Sequence, residues 1–193
     1  MVLSAWVRQP HQVATICPSS PKLIEHLSDH DCIRQANSVV ELGPGAGGTT
    51  QGLLCQMPAD SRLLAIEKTE AFMQPLRLIN DDRLVAISGD ALDIEQICRQ
   101  QKIDSVDVVV SGIPFSAIPK KVGEEIVGAI DRILRPGGHF IAYQLRDDVV
   151  KLVSPLYGPP ETEHVSLNVP PLSIHRWQKP TDAGSSDIPH VTT

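Results

Sequence analysis

Apolar positions in this chain fall into short, solidly apolar runs separated by stretches of helical spacing. The runs are Ser38 to Leu42, Arg62 to Glu67, Leu84 to Ser88, Val106 to Ser111 and His139 to Gln144. Runs this short, rich in Val, Ile and Leu, read as strands covered on both faces, as in a parallel sheet. Between them, apolar residues recur at helical spacing. Leu53, Leu54 and Met57 mark a helix from Thr50 to Met57. Phe72, Met73, Leu76 and Leu78 mark another after a Thr69 cap, with Pro75 placed to kink it. Leu92 to Gln101 and Pro119 to Leu134 follow the same rule. Upstream, Ser20 suits an N-cap and Pro21 a first helical position, and Leu23, Ile24 and Leu27 form a stripe. This helix ends between Asp29 and Gln35. The alternation predicts an α/β domain. Arg135-Pro136-Gly137-Gly138 predicts a break ahead of the fifth strand. After it the alternation stops. Residues 145–160 hold two charged clusters, an apolar stretch (Val149 to Leu156) and Tyr157-Gly158-Pro159-Pro160. Residues 164–178 read as a terminal antiparallel pair. The organisation expected is an arm over 1–20, a domain over 21–179 and a polar, disordered tail over 180–193.

The first strand runs into Glu41-Leu42-Gly43-Pro44-Gly45-Ala46-Gly47-Gly48. Strand, glycine turn, helix is the opening of a nucleotide-binding βαβ unit. Glycines allow a tight turn and close approach of backbone N–H groups to a ligand. Two patterns fit: Gly43, Gly45 and Gly48 as G-x-G-x-x-G, the dinucleotide form, or Glu41 with Gly43, Gly45 and Gly47 as E-x-G-x-G-x-G. Glu67 ends the second strand about twenty residues on, where such units place an acid against ribose hydroxyls. Asp90, after the third strand, is read two ways: as a partner for an adenine amine, or as a helix cap.

Composition narrows the class. The chain has 193 residues, 41% hydrophobic and 21% charged, enough for one domain with a full core. A net charge of -6 argues against a dedicated nucleic-acid binder. Cys17, Cys32, Cys55 and Cys98 are scattered and read as reduced thiols. His26 and His30 stand four apart without a third ligand, so no metal site is expected. No run reaches the roughly 18 apolar residues of a membrane span, and no signal peptide is recognised. A cytoplasmic protein is expected. Residues 1–17, with Trp6, Arg8 and Pro10, read as an arm packed on the domain or as a segment lying at a membrane interface.

Together, the Glu41 glycine turn, Glu67, Gly89-Asp90, Ser111-Gly112-Ile113-Pro114-Phe115 and Leu134-Arg135-Pro136-Gly137-Gly138 resemble the ordered motifs of class I S-adenosylmethionine (SAM)-dependent methyltransferases. Three passages extend this to the bacterial phospholipid N-methyltransferases acting on phosphatidylethanolamine. They are Trp6–Pro10 with Cys17–Pro21, Val110–Pro114, and Leu167–Pro171 followed by His175-Arg176-Trp177. The rRNA adenine dimethylases are similar over the same core, but Gly112 stands where their post-strand-four motif begins with Asn.

The resemblance implies a Rossmann-like fold: a mostly parallel seven-stranded sheet flanked by helices, closed by a C-terminal antiparallel pair. It implies SAM as cofactor, held by Ser19, Ser20, Glu41, Gly43, Pro44, Gly45, Gly47, Glu67, Lys68, Gly89, Asp90, Ala91 and Ser111. It implies methyl transfer to a phospholipid headgroup amine, with Ser111, Gly112, Pro114, Phe115, Tyr143 and Tyr157 as the catalytic set. His175 is a further candidate for base or headgroup contact. Phe115 either faces the cationic centre or packs in the core. The resemblance moves residues 1–17 toward the interfacial reading, at the inner membrane face. Two alternatives stand beside it: methylation of RNA adenine or a small molecule, and a non-catalytic NAD- or SAM-binding regulatory module.

Overall fold

A computed structural model describes residues 21–165 and 171–181. Its centre is a seven-stranded sheet. In chain order the strands are β1 (Ser38–Leu42), β2 (Arg62–Glu67), β3 (Leu84–Ser88), β4 (Val106–Ser111), β5 (Leu134–Gln144), β6 (Glu161–Val165) and β7 (Leu172–Gln178). Their spatial order is β3-β2-β1-β4-β5-β7-β6. The first five are parallel, β7 is antiparallel to β5, and β6 is antiparallel to β7. The order reverses between β1 and β4, so the connections leaving those strands diverge and leave a crevice at their carboxyl ends.

Helices cover both faces. On one lie α1 (Pro21–Ser28), α2 (Asp31–Arg34), α3 (Gly48–Gln56) and α4 (Glu70–Arg77); on the other, α5 (Ile94–Gln100), α6 (Lys120–Ile133) and α7 (Asp148–Tyr157). Alternate strand residues serve the two layers. Val39, Leu63, Val108 and Ile141 pack against Leu23, Leu27 and Leu53. Val40, Leu64, Val109 and Phe140 pack against Ile97, Ile126 and Val153. This two-sided burial is why the strands appear in the sequence as unbroken apolar runs. α1 lies unusually close to α3: a Cβ at Gly52 would overlap the Ile24 Cγ2 methyl.

Strands β1, β2, β3 and β4 match expectation, and the terminal antiparallel pair is present, but β6 begins at Glu161, ahead of the expected residues 164–178. α3 starts at Gly48, ahead of Thr50, because the last loop glycine, Gly47 at φ +86°, serves as its N-cap. Pro75 sits inside α4, which ends two residues later.

Two expectations are corrected. Arg135–Gly138 is not a break but part of an eleven-residue β5, whose register against β4 shifts between Val106 and Val108. The glycines keep their backbone partners: Gly137 N–H donates to Lys179 O at 3.0 Å, and Lys179 N–H donates to Gly138 O at 2.8 Å. Nor does the alternation stop after β5. Val149 and Val153 are buried on α7, which accommodates Pro155 in its last turn and ends at Gly158, where φ is +80°.

Candidate active site

The crevice is built from the glycine loop after β1. Gly43, Gly45 and Gly47 have φ values of +69°, +58° and +86°, a region L side chains rarely adopt. The loop is pinned from below and from the side. Glu41, wholly buried at the end of β1, accepts hydrogen bonds from Thr49 Oγ1 and from Thr50 Oγ1, the latter at 2.6 Å. Both threonines lie in the first turn of α3. Burial pushes the Glu41 carboxyl up to about 7, and the charge of Glu67 adds to the rise. Glu41 therefore lies beneath the loop rather than on its surface.

Glu67 does face the loop. Its carboxylate accepts from Gly45 N–H at 3.0 Å and from Thr69 N–H at 2.7 Å. At the end of β3, Gly89 N–H donates to Glu67 O at 3.0 Å. Asp90 caps the next turn, accepting from Leu92 N–H at 3.1 Å, and pairs with Lys68 at 2.7 Å. The Lys68 ammonium holds the Asp90 carboxyl below its usual range. Of its two readings, capping is the one with a contact. Ala91 opens that turn, and Pro44 is buried within the glycine loop. Ser19 and Ser20 lie outside the described residues.

The opposite wall is the loop after β4. Gly112 N–H donates to Leu42 O at 2.9 Å, which ties this wall to the end of β1. A Cβ at Gly112 would overlap the Tyr143 hydroxyl and come within 2.9 Å of Gly43 O. The absence of a side chain here lets a phenol from β5 reach the junction of the two loops. The Ser111 hydroxyl is buried and accepts from Ile113 N–H at 3.3 Å. Pro114 leads into a short 3-10 turn, Phe115–Ala117. Phe115 is buried in the core, so its packing reading holds and its ring does not line the crevice.

One residue of this wall was missed by sequence reasoning. Gln144, buried at the end of β5, donates from Nε2 to Ile113 O at 2.8 Å and accepts at Oε1 from Phe115 N–H at 3.3 Å. Both ends of its amide thus brace the 112–115 loop. The available signal was a lone amide closing an apolar strand.

Two candidates are not brought to the crevice. Tyr157 closes α7, one helix length from the carboxyl edge, and its hydroxyl donates to Asp131 at 2.7 Å. Burial, with that contact second, raises the phenol above its ordinary range. His175 is buried on the α7 side of β7, between Asp147 at 3.1 Å and Thr162 at 2.9 Å. Burial lowers its pKa. Among the described residues no group of three His, Cys, Asp or Glu side chains could hold a metal ion.

The donor set decides what the crevice suits. Residues 41–50 contain no Lys or Arg, Glu67 faces the loop, and Lys68 is committed to Asp90. A pyrophosphate would meet carboxylate without a counter-cation; a cationic sulfonium nucleoside would meet favourable charge. SAM fits this crevice, with Gly43–Gly47, Glu67 and the Asp90 turn placed to hold it.

Comparison with known proteins agrees. The chain is 30% identical over 142 residues to an ornithine lipid N-methyltransferase of Singulisphaera acidiphila, covering 72% of this chain and 74% of that one. It is 33% identical over 87 residues to a ribosomal RNA small subunit methyltransferase A of Caulobacter vibrioides, covering 44% of this chain but 31% of that one. In fold it is similar to the N-methyltransferase NodS of Bradyrhizobium japonicum, solved with S-adenosyl-l-homocysteine. The TM-score is 0.63 at 14% identity, over 88% of this chain and 98% of that one. The FtsJ-like methyltransferase model matches residues 18–174, and the chain belongs to that family of SAM-dependent methyltransferases.

Proposed function

We propose that this methyltransferase acts on the primary amine of a membrane-lipid headgroup, of the phosphatidylethanolamine type. The observation that carries the reading is the junction of the two loops. Gly112 lets the loop after β4 close against the glycine loop with the Tyr143 hydroxyl at their junction, and this reading takes that hydroxyl as the hydrogen-bond partner of the amine. Bound SAM supplies an electrophilic methyl group on a sulfonium. The chain's part is positional. The glycine loop and Glu67 orient the donor, and the Gln144-braced loop holds the acceptor in line. The similarity to an ornithine lipid N-methyltransferase supports a lipid amine as acceptor.

Ribosomal RNA methyltransferases among the relatives make RNA the competing acceptor. The test is transfer of labelled methyl from SAM to vesicles of phosphatidylethanolamine, to ornithine lipid and to total RNA. Label in an aminolipid is expected, and the two lipid arms identify the headgroup. Label in RNA alone would overturn the reading.

A further inference from the structure

The apolar stretch Val149 to Leu156 is only partly used by the core. Val149 and Val153 are buried, but Leu152 is half-buried and Pro155 and Leu156 are exposed, Leu156 to 48%. These three line a groove against α6, where Lys120, Glu124, Val127 and Gly128 share one side of the helix at i, i+4, i+7 and i+8. The groove has a volume of about 370 Å³, within the roughly 300–1,000 Å³ of small-molecule sites. Two glycines of α6 shape it. At Gly123 the helices touch: a Cβ there would come within 2.8 Å of Leu152 Cδ1 and 3.5 Å of Phe115, so this end packs on the loop that walls the crevice. At Gly128 they stand apart: a Cβ would meet only Arg132 Nη1, at 3.4 Å. The cations gather at one end. Lys120 opens α6 and Lys151 lies in the first turn of α7. Both helices leave the carboxyl edge of the sheet, so both lysines belong to the crevice end, and Val127 and Gly128 lie roughly 10 Å further along α6. Lys120 pairs with Glu124 at 3.2 Å, while Lys151 has no hydrogen bond or ion pair among the described residues.

We propose that this groove binds one acyl chain of the phospholipid whose headgroup amine enters the crevice, with Lys151, and Lys120 beside it, holding the phosphate. This rests on the lipid-amine reading above. Cations at one end and apolar walls along the rest complement an amphiphile with an anionic head and an apolar tail. A phospholipid of the phosphatidylethanolamine type carries its phosphate between the amine and the chains. With the amine at the crevice, the phosphate points to the helix starts and the chain runs down the groove. The open side leaves the chain about half covered. Gly128 keeps the floor clear, and Leu156 supplies the wall. The acceptor is then recognised by its chain as well as its headgroup, which separates a lipid from a small free amine.

The test uses the full chain and two measurements. The first is methyl transfer from SAM to butanoyl, octanoyl and dodecanoyl lysophosphatidylethanolamine, each kept below its micelle concentration. KM should fall about twofold per added methylene, half the effect of full burial on a logarithmic scale. In G128L, where a side chain occupies the floor, this dependence should flatten, with affinity for S-adenosylhomocysteine as the control for folding. If G128L does not fold, L156D, altered at an exposed position, carries the same arm. The second is calorimetric binding of dodecyl phosphate, which has the head and tail but no amine. The parent should bind it, G128L and L156D should not, and K151E should bind about 10-fold more weakly. A folded G128L or L156D that keeps the parent's chain-length dependence overturns the groove, and K151E binding like the parent overturns the phosphate contact. Lipid methylation with KM independent of chain length, and no binding of dodecyl phosphate, overturns the groove and leaves the amine reading standing. Binding of dodecyl phosphate that the variants abolish, with no lipid methylated, overturns the amine reading and leaves the groove as an amphiphile site.

Discussion

At the scale of single residues, the site combines what chain position announces with what only three dimensions reveal. Glu41 and Glu67 both end strands beside the glycine turn, and the sequence gives them similar standing. The structure separates them: Glu67 faces the loop, while Glu41 lies under it with both oxygens taken by threonines. That difference has a thermodynamic signature. The Glu41 carboxyl is raised from 4.5 to about 7, so between those values the folded chain keeps a proton that the unfolded chain releases. The group's contribution to stability is therefore largest below this window and declines as pH rises through it, by about 3 kcal/mol in all. E41Q removes the titration. Its unfolding free energy, measured in urea, should gain about 3 kcal/mol on the parent between about pH 4 and about pH 8. A difference that does not vary with pH would show that Glu41 is not an ionisable group of this kind. Gln144 could not be found from spacing, because its partners lie 29 and 31 positions earlier and amides close many strands. The contact of Gly112 with Tyr143 was hidden for the same reason: it joins two strand ends that only the sheet brings side by side.

At the scale of elements, legibility followed burial. Strands covered on both faces announce themselves as unbroken apolar runs, and β2, β3 and β4 were located to the residue. Two elements defied local signals. The Pro-Gly-Gly inside β5 reads as a break until Lys179 supplies backbone partners from a segment 41 or more positions away. In α7, Pro155 masks a helix whose buried Val149 and Val153 fill the space over β5 and β7. The α1–α3 contact is likewise silent in sequence, since Gly52 looks like an ordinary weak spot in a helix. Replacing that glycine by alanine would raise intrinsic helix stability by about 0.8–1.0 kcal/mol. Here the added methyl overlaps Ile24, a β-branched side chain with one strongly preferred helical rotamer, so α1 itself must move. Overpacking of this kind costs about 1–3 kcal/mol and outweighs the propensity gain. Thermal unfolding of G52A should therefore show a lowered Tm, and I24A on the same background should recover part of it. A G52A chain as stable as the parent would mean that the two helices have slack between them.

At the scale of the whole molecule, the proposed lipid acceptor raises the question of how a chain of this charge would reach a membrane surface. Net charge is -6, so electrostatic attraction to an anionic surface cannot carry the encounter. No helix among the described residues is long and apolar enough to cross a membrane. The described chain begins at Pro21. His26 pairs with Glu163 at mid-strand, and His30 lies nearer the start of β6 and the end of β7, beside Arg176 and Glu161. α1 thus descends from the carboxyl edge of the sheet, and Pro21, its first residue, lies on the side of the crevice. We propose that the segment preceding it, with Trp6 and its neighbouring apolar residues, meets the membrane by apolar contact and delivers the crevice to the headgroup layer. Binding of that kind has a distinct salt response. Attraction between charges fades as added salt shortens the Debye length from about 10 Å at 0.1 M to about 3 Å at 1 M, whereas apolar burial does not. Co-sedimentation of the full chain with phosphatidylethanolamine vesicles should therefore persist across that range of salt. A chain lacking residues 1–17, shown to be folded by its circular dichroism, should stay in the supernatant while still binding S-adenosylhomocysteine. If the shortened chain sediments as the full one does, the arm is not the membrane contact. If neither sediments, the lipid amine must reach the crevice as a dispersed monomer, and activity should then follow monomer concentration rather than vesicle surface.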